Sequence, residues 1–147
     1  MTIGTVLRSR LDGRSEDYRA NLGQMQALWD QVAEQLATVP TIGGQDYVRR
    51  HRRRGKMLPR ERIEELVDPT TPFLELSPLA GWGTGEPVGV AVATGIGVVE
   101  NTECVIWASD MTYRGGTMNV WTGRKILRAI EVSRVNRMPL LILTESG

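Results

Sequence analysis

The chain has 147 residues, of which 41% are hydrophobic and 24% charged, and its formal net charge is +1. This balance is typical of a globular domain, and it excludes a disordered chain or a generally basic protein that coats nucleic acid. The single cysteine, Cys104, excludes an internal disulfide framework, and no spacing of histidine and cysteine indicates a metal site. No apolar stretch reaches the roughly 18 residues of a membrane span. We therefore expect no membrane partner and a reducing, cytoplasmic setting.

The first quarter of the chain predicts one long helix over residues 15–37, with Ser15 in its cap region. Apolar side chains recur there every three or four residues, which places them on one helix face. They are Leu22, Met25, Trp29, Val32 and Leu36. Such a narrow stripe needs one partner surface, either on the rest of the chain or on another subunit. Pro40 and the pair Gly43 and Gly44 then indicate a linker.

A basic run, "RRHRRRGK", occupies residues 49–56. Its charge suits the phosphate groups of a nucleic acid or of a nucleotide-like cofactor, but a solvated helix face is the commoner role of such a run. His51 lies among cations without an orienting carboxylate nearby in sequence, so we expect a surface imidazole.

A short helix is predicted to begin at Pro59 and to end at Asp68 and Pro69. Its apolar face comprises Ile63, Leu66 and Val67. The prolines and glycines of residues 73–87 predict an irregular segment with a brief strand at "FLELS".

Two strands follow, "VGVAVATGIGVV" and "ECVIWAS", and the polar turn "ENTE" between them predicts a hairpin. We expect Cys104 to be a buried, unreactive core thiol. Neither "GIG" at Gly95 and Gly97 nor "GWGTG" at residues 81–85 completes a phosphate-binding pattern, so we interpret both as turn or bulge glycines.

After the loop "DMTYRGGTMN", residues 120–136 predict a helix, and Pro139 opens a last strand, "LLILT". The apolar face expected for the helix comprises Ile126, Leu127, Ile130 and Val135. The charged residues expected on its other faces are Arg124, Lys125, Arg128, Glu131 and Arg134. Strand, helix and strand in this order usually form a right-handed crossover. The carboxyl ends of "CVIWAS" and "LLILT" then share one sheet edge, which puts "DMTYRGG" beside "ESG".

The residues at this edge supply the candidates for chemistry. Glycines before a helix, as in "RGGT", let backbone amides face a ligand, although paired glycines are more often plain turns. Ser146 is excluded as a hydrolase nucleophile, because Thr144 stands where a nucleophile elbow needs glycine. Asp110 and Glu145 are candidates to face each other across the strand ends, but a carboxylate pair of unknown separation supports no acid–base role. The four tryptophans are scattered and we assign them to packing.

Four stretches in order carry a resemblance to a known family. They are "YVRRHRRRGKMLPRERIEELVDPTTPFLELSPLAGWG", "GVAVATGIGVV", "CVIWASDMTYRGGTMN" and "RMPLLILTESG". Over residues 17–147 the chain resembles the amino-terminal part of the carboxyltransferase (beta) subunit of biotin-dependent acyl-CoA carboxylases, and most of all the methylcrotonyl-CoA carboxylase type.

The resemblance implies an α/β, crotonase-like superhelix of β-β-α units, with residues 1–68 mainly helical and residues 69–147 forming the start of the core. It implies transfer of a carboxyl group from carboxybiotin to the α-carbon of an acyl-CoA through an enolate held by backbone amides. Carboxybiotin is a co-substrate on a partner biotin carboxylase or biotin carrier subunit, and no cofactor is bound covalently. Family subunits form homo- or hetero-oligomers.

The resemblance also implies residue roles. Gly115, Gly116 and Thr117 are expected to line the acyl-CoA cleft, and Ser146 and Gly147 to begin the enolate loop. The "RGK" segment, Arg54, Gly55 and Lys56, is expected either to contact CoA phosphates or to form structural salt bridges.

Family subunits are several times longer, so we expect this chain to be a truncated, inactive part of the enzyme. The alternatives are a non-catalytic module that docks on a full-length carboxylase subunit through the stripe of residues 22–36, and a nucleic-acid binder that uses residues 49–56. Under the resemblance we expect the chain to have no nucleic-acid partner.

Overall fold

A computed structural model describes residues 8–9 and 11–145. The chain divides into two compact units, one ending at Glu34 and the other beginning at Gln35. Short 3-10 turns occur at Val39–Thr41 and Arg114–Gly116. Among the described residues, no helix combines the length and the apolar character needed to cross a membrane. The regular elements, in chain order, are α1 (Glu16–Thr38), α2 (Gln45–Arg53), α3 (Pro59–Leu66), β1 (Leu74–Glu75), β2 (Val92–Val99), β3 (Thr102–Ser109), α4 (Val120–Asn136) and β4 (Leu140–Leu143).

The predicted first helix is confirmed by α1. The hydroxyl of Ser15 accepts a hydrogen bond from the Tyr18 amide at 3.2 Å, which caps the helix as expected. None of the residues of α1 is buried, and Leu22, Met25 and Trp29 of the predicted stripe are 44%, 64% and 65% exposed. What covers this stripe therefore stays a prediction.

The predicted hairpin is formed by β2 and β3, which pair antiparallel from Val92 with Ser109 to Val99 with Thr102. Its turn residues, Glu100 and Asn101, both have positive φ, at 50° and 59°, as tight hairpin turns require. The carboxylate of Asp68 accepts hydrogen bonds from both of their amides at 2.8 Å. Asp68, two residues after the end of α3, therefore fixes this turn.

The last strand lies where the sequence predicted it. The sheet order is β1-β2-β3-β4, and β4 pairs parallel with β3 from Val105 with Leu140 to Ala108 with Leu143. Helix α4 connects them, so β2, β3 and α4 form one strand–strand–helix unit followed by β4. Because the strands are parallel, the residues after Ser109 and after Leu143 emerge at the same sheet edge.

The sheet buries both of its faces, which explains why β2 and β3 are almost continuously apolar. On the α3 face the buried residues are Ile63, Ala93, Cys104, Ile106 and Ala108. On the α4 face they are Val90, Val92, Trp107 and Ile126. The prediction of a core thiol at Cys104 is confirmed. Packing is also confirmed for Trp107 and for Trp121, which packs on the α4 face, but Trp29 and Trp82 are exposed.

The interpretation of Gly95 and Gly97 as turn or bulge residues is wrong, because both lie inside β2. A Cβ atom at Gly95 would overlap the ring of Phe73 and the carbonyl of Leu74, and one at Gly97 would overlap Val67. These glycines therefore allow the segment after α3 to approach the sheet closely.

The predicted buried face of α4 is only partly correct. Ile126 is buried, but Leu127, Ile130 and Val135 are exposed. The remaining buried positions carry small or polar residues, and Lys125, predicted on an outer face, is only 4% exposed. The main-chain carbonyls of Gly89, before β2, and of Val92, at its start, satisfy the ammonium group, so this face of the helix can be buried. The full buried set is Thr122, Lys125, Ile126, Ala129 and Ser133.

Candidate functional site

The carboxyl ends of β3 and β4 are joined through Ser109 and Glu145. The hydroxyl of Ser109 donates to the carbonyl of Glu145 at 2.8 Å, and the Glu145 amide donates to the same hydroxyl at 2.6 Å. This contact confirms that the residues after the two strands lie side by side. The predicted loop residues Ser146 and Gly147 lie outside the described residues.

Arg62 of α3 reaches across the same edge. Its guanidinium donates to the carbonyl of Leu143 at 3.2 Å and to the carbonyl of Ser109. Each carbonyl belongs to the last residue of a strand, so one side chain binds the ends of β4 and β3 together. It also brings a permanent positive charge to this edge.

The side chain of Glu145 is held from the opposite direction by residues of α2 and of the turn after it. Its carboxylate forms an ion pair with Lys56, and its Oε2 lies 3.8 Å from Nε2 of His51. The expectation that His51 is a surface imidazole is wrong, since the residue is only 8% exposed. Its Nε2 donates to the carbonyl of Met57 at 3.1 Å, and this bond orients the ring.

The basic run is divided between structural pairs and exposed charge. Arg49 pairs with Asp46, and Arg52 pairs with Glu61. The hydrogen bond from the Leu58 amide is the main cause that lowers the pKa of Glu61, and Arg52 assists. The side chains of Arg49 and Arg52 stay 68% and 59% exposed in these pairs, which agrees with the interpretation of this part of the run as a solvated helix face.

The "RGK" segment follows α2. Gly55 has a φ of 72°, which turns the chain between Arg54 and Lys56. Arg54 is exposed, whereas Lys56 reaches the strand ends through its ion pair with Glu145. The structural role expected as one alternative for this segment is therefore present at Lys56, and contact with CoA stays a prediction.

Asp110, directly after β3, does not share its partners with Glu145. It is 3% exposed, and its Oδ1 accepts hydrogen bonds from the Thr112 amide at 2.8 Å and the Thr112 hydroxyl at 2.6 Å. The carbonyl and hydroxyl of Thr112 also lie so close to Gly43 that a Cβ atom there would overlap them. Asp110 thus shapes the loop, and Gly43 packs on it rather than serving only as a linker.

The candidate glycines lie in the 3-10 turn that this loop forms. Gly115 and Gly116 have φ values of 64° and 76°, which suit glycine. The Gly116 amide donates to Tyr113 at 3.0 Å, and the Thr117 amide donates to Arg114 at 3.3 Å. Two amides of the predicted cleft are thus engaged within the turn.

Glu86 anchors the turn. It accepts a hydrogen bond from the Tyr113 hydroxyl at 3.1 Å and lies 3.8 Å from the guanidinium of Arg114. Burial, assisted by the bond to Glu86, raises the pKa of Tyr113. The loop after β3 is therefore attached to Glu86 through the two residues that precede its glycines.

Sequence reasoning missed Arg62, Ser109 and Lys125. Nζ of Lys125 donates to the carbonyls of Val92 at 2.8 Å and Gly89 at 3.3 Å, and burial lowers the pKa of Lys125 to about 8. Its spacing of three residues from Thr122 and four from Ala129 was the available signal, because all three fall on one helix face. For Arg62 and Ser109 the contacts are 47 and 36 residues away, and no local pattern indicates them.

A separate cavity of about 500 Å³ lies near the amino end of β3, where Ile96, Glu103 and Met138 are among its lining residues. Since Glu103 is at the start of β3, this cavity is distant along the strand from Ser109. It belongs to the other edge of the sheet, and none of the predicted site residues lines it.

Comparisons with known proteins agree with this geometry. The profile of the carboxyl transferase domain family matches residues 50–147. The chain is 48% identical over 142 residues to a probable biotin-dependent acyl-coenzyme A carboxylase beta2 subunit of Mycobacterium tuberculosis, covering 97% of this chain and 27% of the relative. It is 41% identical over 145 residues to the mitochondrial methylcrotonoyl-CoA carboxylase beta chain of Dictyostelium discoideum, covering 97% and 25%. The chain spans about a quarter of the length of these relatives.

Two solved structures share the fold. The beta subunit of Pseudomonas aeruginosa geranyl-CoA carboxylase superimposes with a TM-score of 0.73 and 32% identity, over 97% of this chain and 27% of its own. Transcarboxylase 12S, described as a hexamer with methylmalonyl-coenzyme A bound, gives a TM-score of 0.72 and 26% identity, over 84% and 25%. The α/β, crotonase-like fold class is therefore confirmed. The chain belongs to the carboxyl transferase domain family, and its resemblance to beta subunits of biotin-dependent acyl-CoA carboxylases of the methylcrotonyl-CoA type is confirmed.

Proposed function

We propose that the protein containing this chain transfers a carboxyl group from carboxybiotin, presented by a biotin-carrying partner subunit, to the α-carbon of an acyl-CoA. The observation that carries the proposal is the hydrogen-bonded juxtaposition of Ser109 and Glu145, at the point where a chain of this family continues into Ser146 and Gly147. In this reaction a proton leaves the α-carbon of the thioester, the resulting enolate forms a carbon–carbon bond with the carboxyl group, and the biotin nitrogen that releases this group takes up the proton. In an α,β-unsaturated ester such as 3-methylcrotonyl-CoA the enolate extends to the γ-carbon, which then loses the proton and receives the carboxyl group.

The proposal assigns few side chains to the reaction itself. Backbone amides beginning at Ser146 and Gly147 hold the enolate oxygen, since preorganised donors stabilise charge that develops in the transition state. Gly115, Gly116 and Thr117 line the acyl-CoA cleft on the loop after β3. The permanent charge of Arg62 at the strand ends supports an anionic intermediate there.

The "RGK" segment is proposed to bind CoA phosphates. Arg54 is exposed and available to a ligand, and Lys56 is partly exposed although it pairs with Glu145. An ammonium group has three donors, so Lys56 can keep that pair and still donate to a phosphate. The proposal includes a cytoplasmic setting, which suits a protein whose single cysteine is a buried free thiol.

The direct experiment supplies the purified protein with its biotin-carrying partner, ATP, labelled bicarbonate and an acyl-CoA. We expect acid-stable label in the CoA ester with 3-methylcrotonyl-CoA or geranyl-CoA, the substrates named in its relatives. The proposal is wrong if label accumulates on the partner's biotin but passes to none of several acyl-CoA esters. A polypeptide limited to these 147 residues is expected to be inactive, because it spans about a quarter of the relatives' length.

The exposed stripe on α1 supports a second candidate, a non-catalytic module that docks on a full-length carboxylase subunit. Leu22, Met25 and Trp29 present apolar surface without a partner among the described residues of the unit that ends at Glu34. Co-purification that Trp29→Asp abolishes, and that Gln26→Asp leaves intact, would favour docking. Co-purification that neither substitution changes would dismiss it.

A further inference from the structure

Five residues form what we term the strand-end clamp: His51, Lys56, Arg62, Ser109 and Glu145. They come from α2, the turn after it, α3, the end of β3 and the chain after β4. Each of the other four contacts Glu145 or a strand end next to it. Segments up to 89 residues apart thus converge on one residue.

The main chain of Glu145 is fixed although the strand has already ended. The β3–β4 ladder stops at the pair Ala108 and Leu143. Glu145 lies two positions after Leu143, beyond the last pair of this ladder. There the Ser109 hydroxyl replaces the main-chain hydrogen bonds of the sheet, because it accepts from the Glu145 amide and donates to the Glu145 carbonyl. Both backbone groups of one residue are thereby satisfied by one side chain, and the rotation of that peptide is restricted.

The side chain of Glu145 is fixed from the other direction. Its carboxylate is 20% exposed, pairs with Lys56, and has His51 at 3.8 Å. The bond from His51 to the Met57 carbonyl and the turn at Gly55 set the positions of both partners. A carboxylate engaged in this way is suited to anchoring the chain rather than to accepting a substrate proton.

Arg62 completes the arrangement by joining the two strands. Its bonds to the carbonyls of Leu143 and Ser109 hold the end of β4 against the end of β3. The separation of Ser109 from Glu145 is therefore fixed by α3 as well as by the sheet.

We propose that the strand-end clamp positions the enolate-binding backbone: by fixing the main chain and side chain of Glu145, it sets the direction in which the chain enters Ser146 and Gly147. The inference rests on the proposed function. Oxyanion donors act only within a narrow range of distance and direction, so a small rotation at the preceding residue misplaces them. Ser109, Lys56, His51 and Glu145 are then positioning residues, which touch no reacting atom.

The first test asks whether the clamp holds Glu145, independently of any reaction. In the assembled carboxylase, Ser109→Ala is expected to raise the hydrogen-exchange rate of the Glu145 amide at least tenfold. Ser109→Thr, which retains the hydroxyl, should restore most of the protection, and Ser77→Ala at an exposed position should leave it unchanged. Equal exchange in the wild type and Ser109→Ala would overturn the clamp.

The second test asks whether the clamp serves catalysis. In the same assembly, Ser109→Ala and Glu145→Gln are expected to lower kcat at least tenfold while KM for the acyl-CoA changes less than twofold. The matched control is Glu131→Gln, which breaks the exposed ion pair with Arg128 on α4 and should leave kcat within twofold of wild type. Recovery of kcat in Ser109→Thr would identify the hydroxyl as the cause.

The outcomes separate the two proposals. An active wild type whose Ser109→Ala and Glu145→Gln variants keep full kcat overturns the positioning role and leaves the proposed function intact. An inactive wild type whose partner biotin is carboxylated overturns the proposed function, and the catalytic role of the clamp with it. If Glu145→Gln unfolds, Ser109→Ala decides the question, because it removes only one hydroxyl group.

Discussion

The ammonium nitrogen of Lys125 donates to the main-chain carbonyl of Val92 at 2.8 Å, inside the layer between α4 and the sheet. Burial lowers the pKa of Lys125 from its ordinary value of 10.5 to about 8. Between these two pH values the unfolded chain carries a proton that the folded chain has released. The free energy of unfolding should therefore rise with pH across this interval, by at most about 3 kcal/mol at 1.36 kcal/mol per unit.

The measurement is urea unfolding of wild type and Lys125→Met at pH 6, 7, 9 and 10.5. Methionine retains the aliphatic bulk but does not titrate. The stability of wild type relative to the variant should increase between pH 8 and 10.5 and be constant below pH 7. A difference that stays flat through pH 10.5 would contradict the burial of a charged lysine.

Gly95 tests how closely the segment after α3 approaches the sheet. Gly95→Ala should destabilise the protein by roughly 1–3 kcal/mol, because the added methyl group overlaps the Phe73 ring and the Leu74 carbonyl. The matched control is Gly123→Ala in α4, where nothing outside the local helix backbone lies within 4 Å of the new methyl group. That change should stabilise the helix by up to about 1 kcal/mol. Equal effects in denaturant unfolding would show that Gly95 has room for a side chain.

Asn119 caps α4 through Oδ1, which accepts a hydrogen bond from the Thr122 amide at 2.8 Å. Asn119→Ala should cost about 1 kcal/mol in the free energy of unfolding. Asn119→Asp preserves the acceptor and adds a negative charge at the helix amino terminus, so it should retain or slightly raise stability. Thermal unfolding of the two variants checks this, and a loss shared by both would argue against capping.

Arg54 tests the proposed contact with CoA phosphates. Arg54→Ala should weaken acyl-CoA binding by roughly threefold to tenfold, and the loss should shrink at high salt because an exposed charge is screened. Arg128→Ala removes another exposed charge, from α4, and should leave the affinity unchanged. Calorimetric titration of the assembled carboxylase measures both. An unchanged affinity in Arg54→Ala would leave this arginine without a ligand role.

Local patterns predicted most of the secondary structure. The bounds of α1 and α4 follow from helical periodicity, with Ser15 marking the start of α1 and Pro139 lying just after the end of α4. The hairpin follows from two β-branched runs around a polar turn. Strand β2 nevertheless begins at Val92 rather than Val88, because Val90 and Ala91 adopt positive φ values in a turn that no local propensity favours.

The amino-acid order by itself determined the helices, the hairpin, the shared edge of the last two strands and the family resemblance, because each depends on neighbours or on motifs in sequence. Only the tertiary structure decided which face of α4 is buried, why Gly95 must lack a side chain, and that His51, Lys56 and Arg62 meet Ser109 and Glu145. The physical reason is that burial and pairing of polar groups depend on partners tens of residues away. A lysine or a histidine can lie inside whenever such a partner satisfies it.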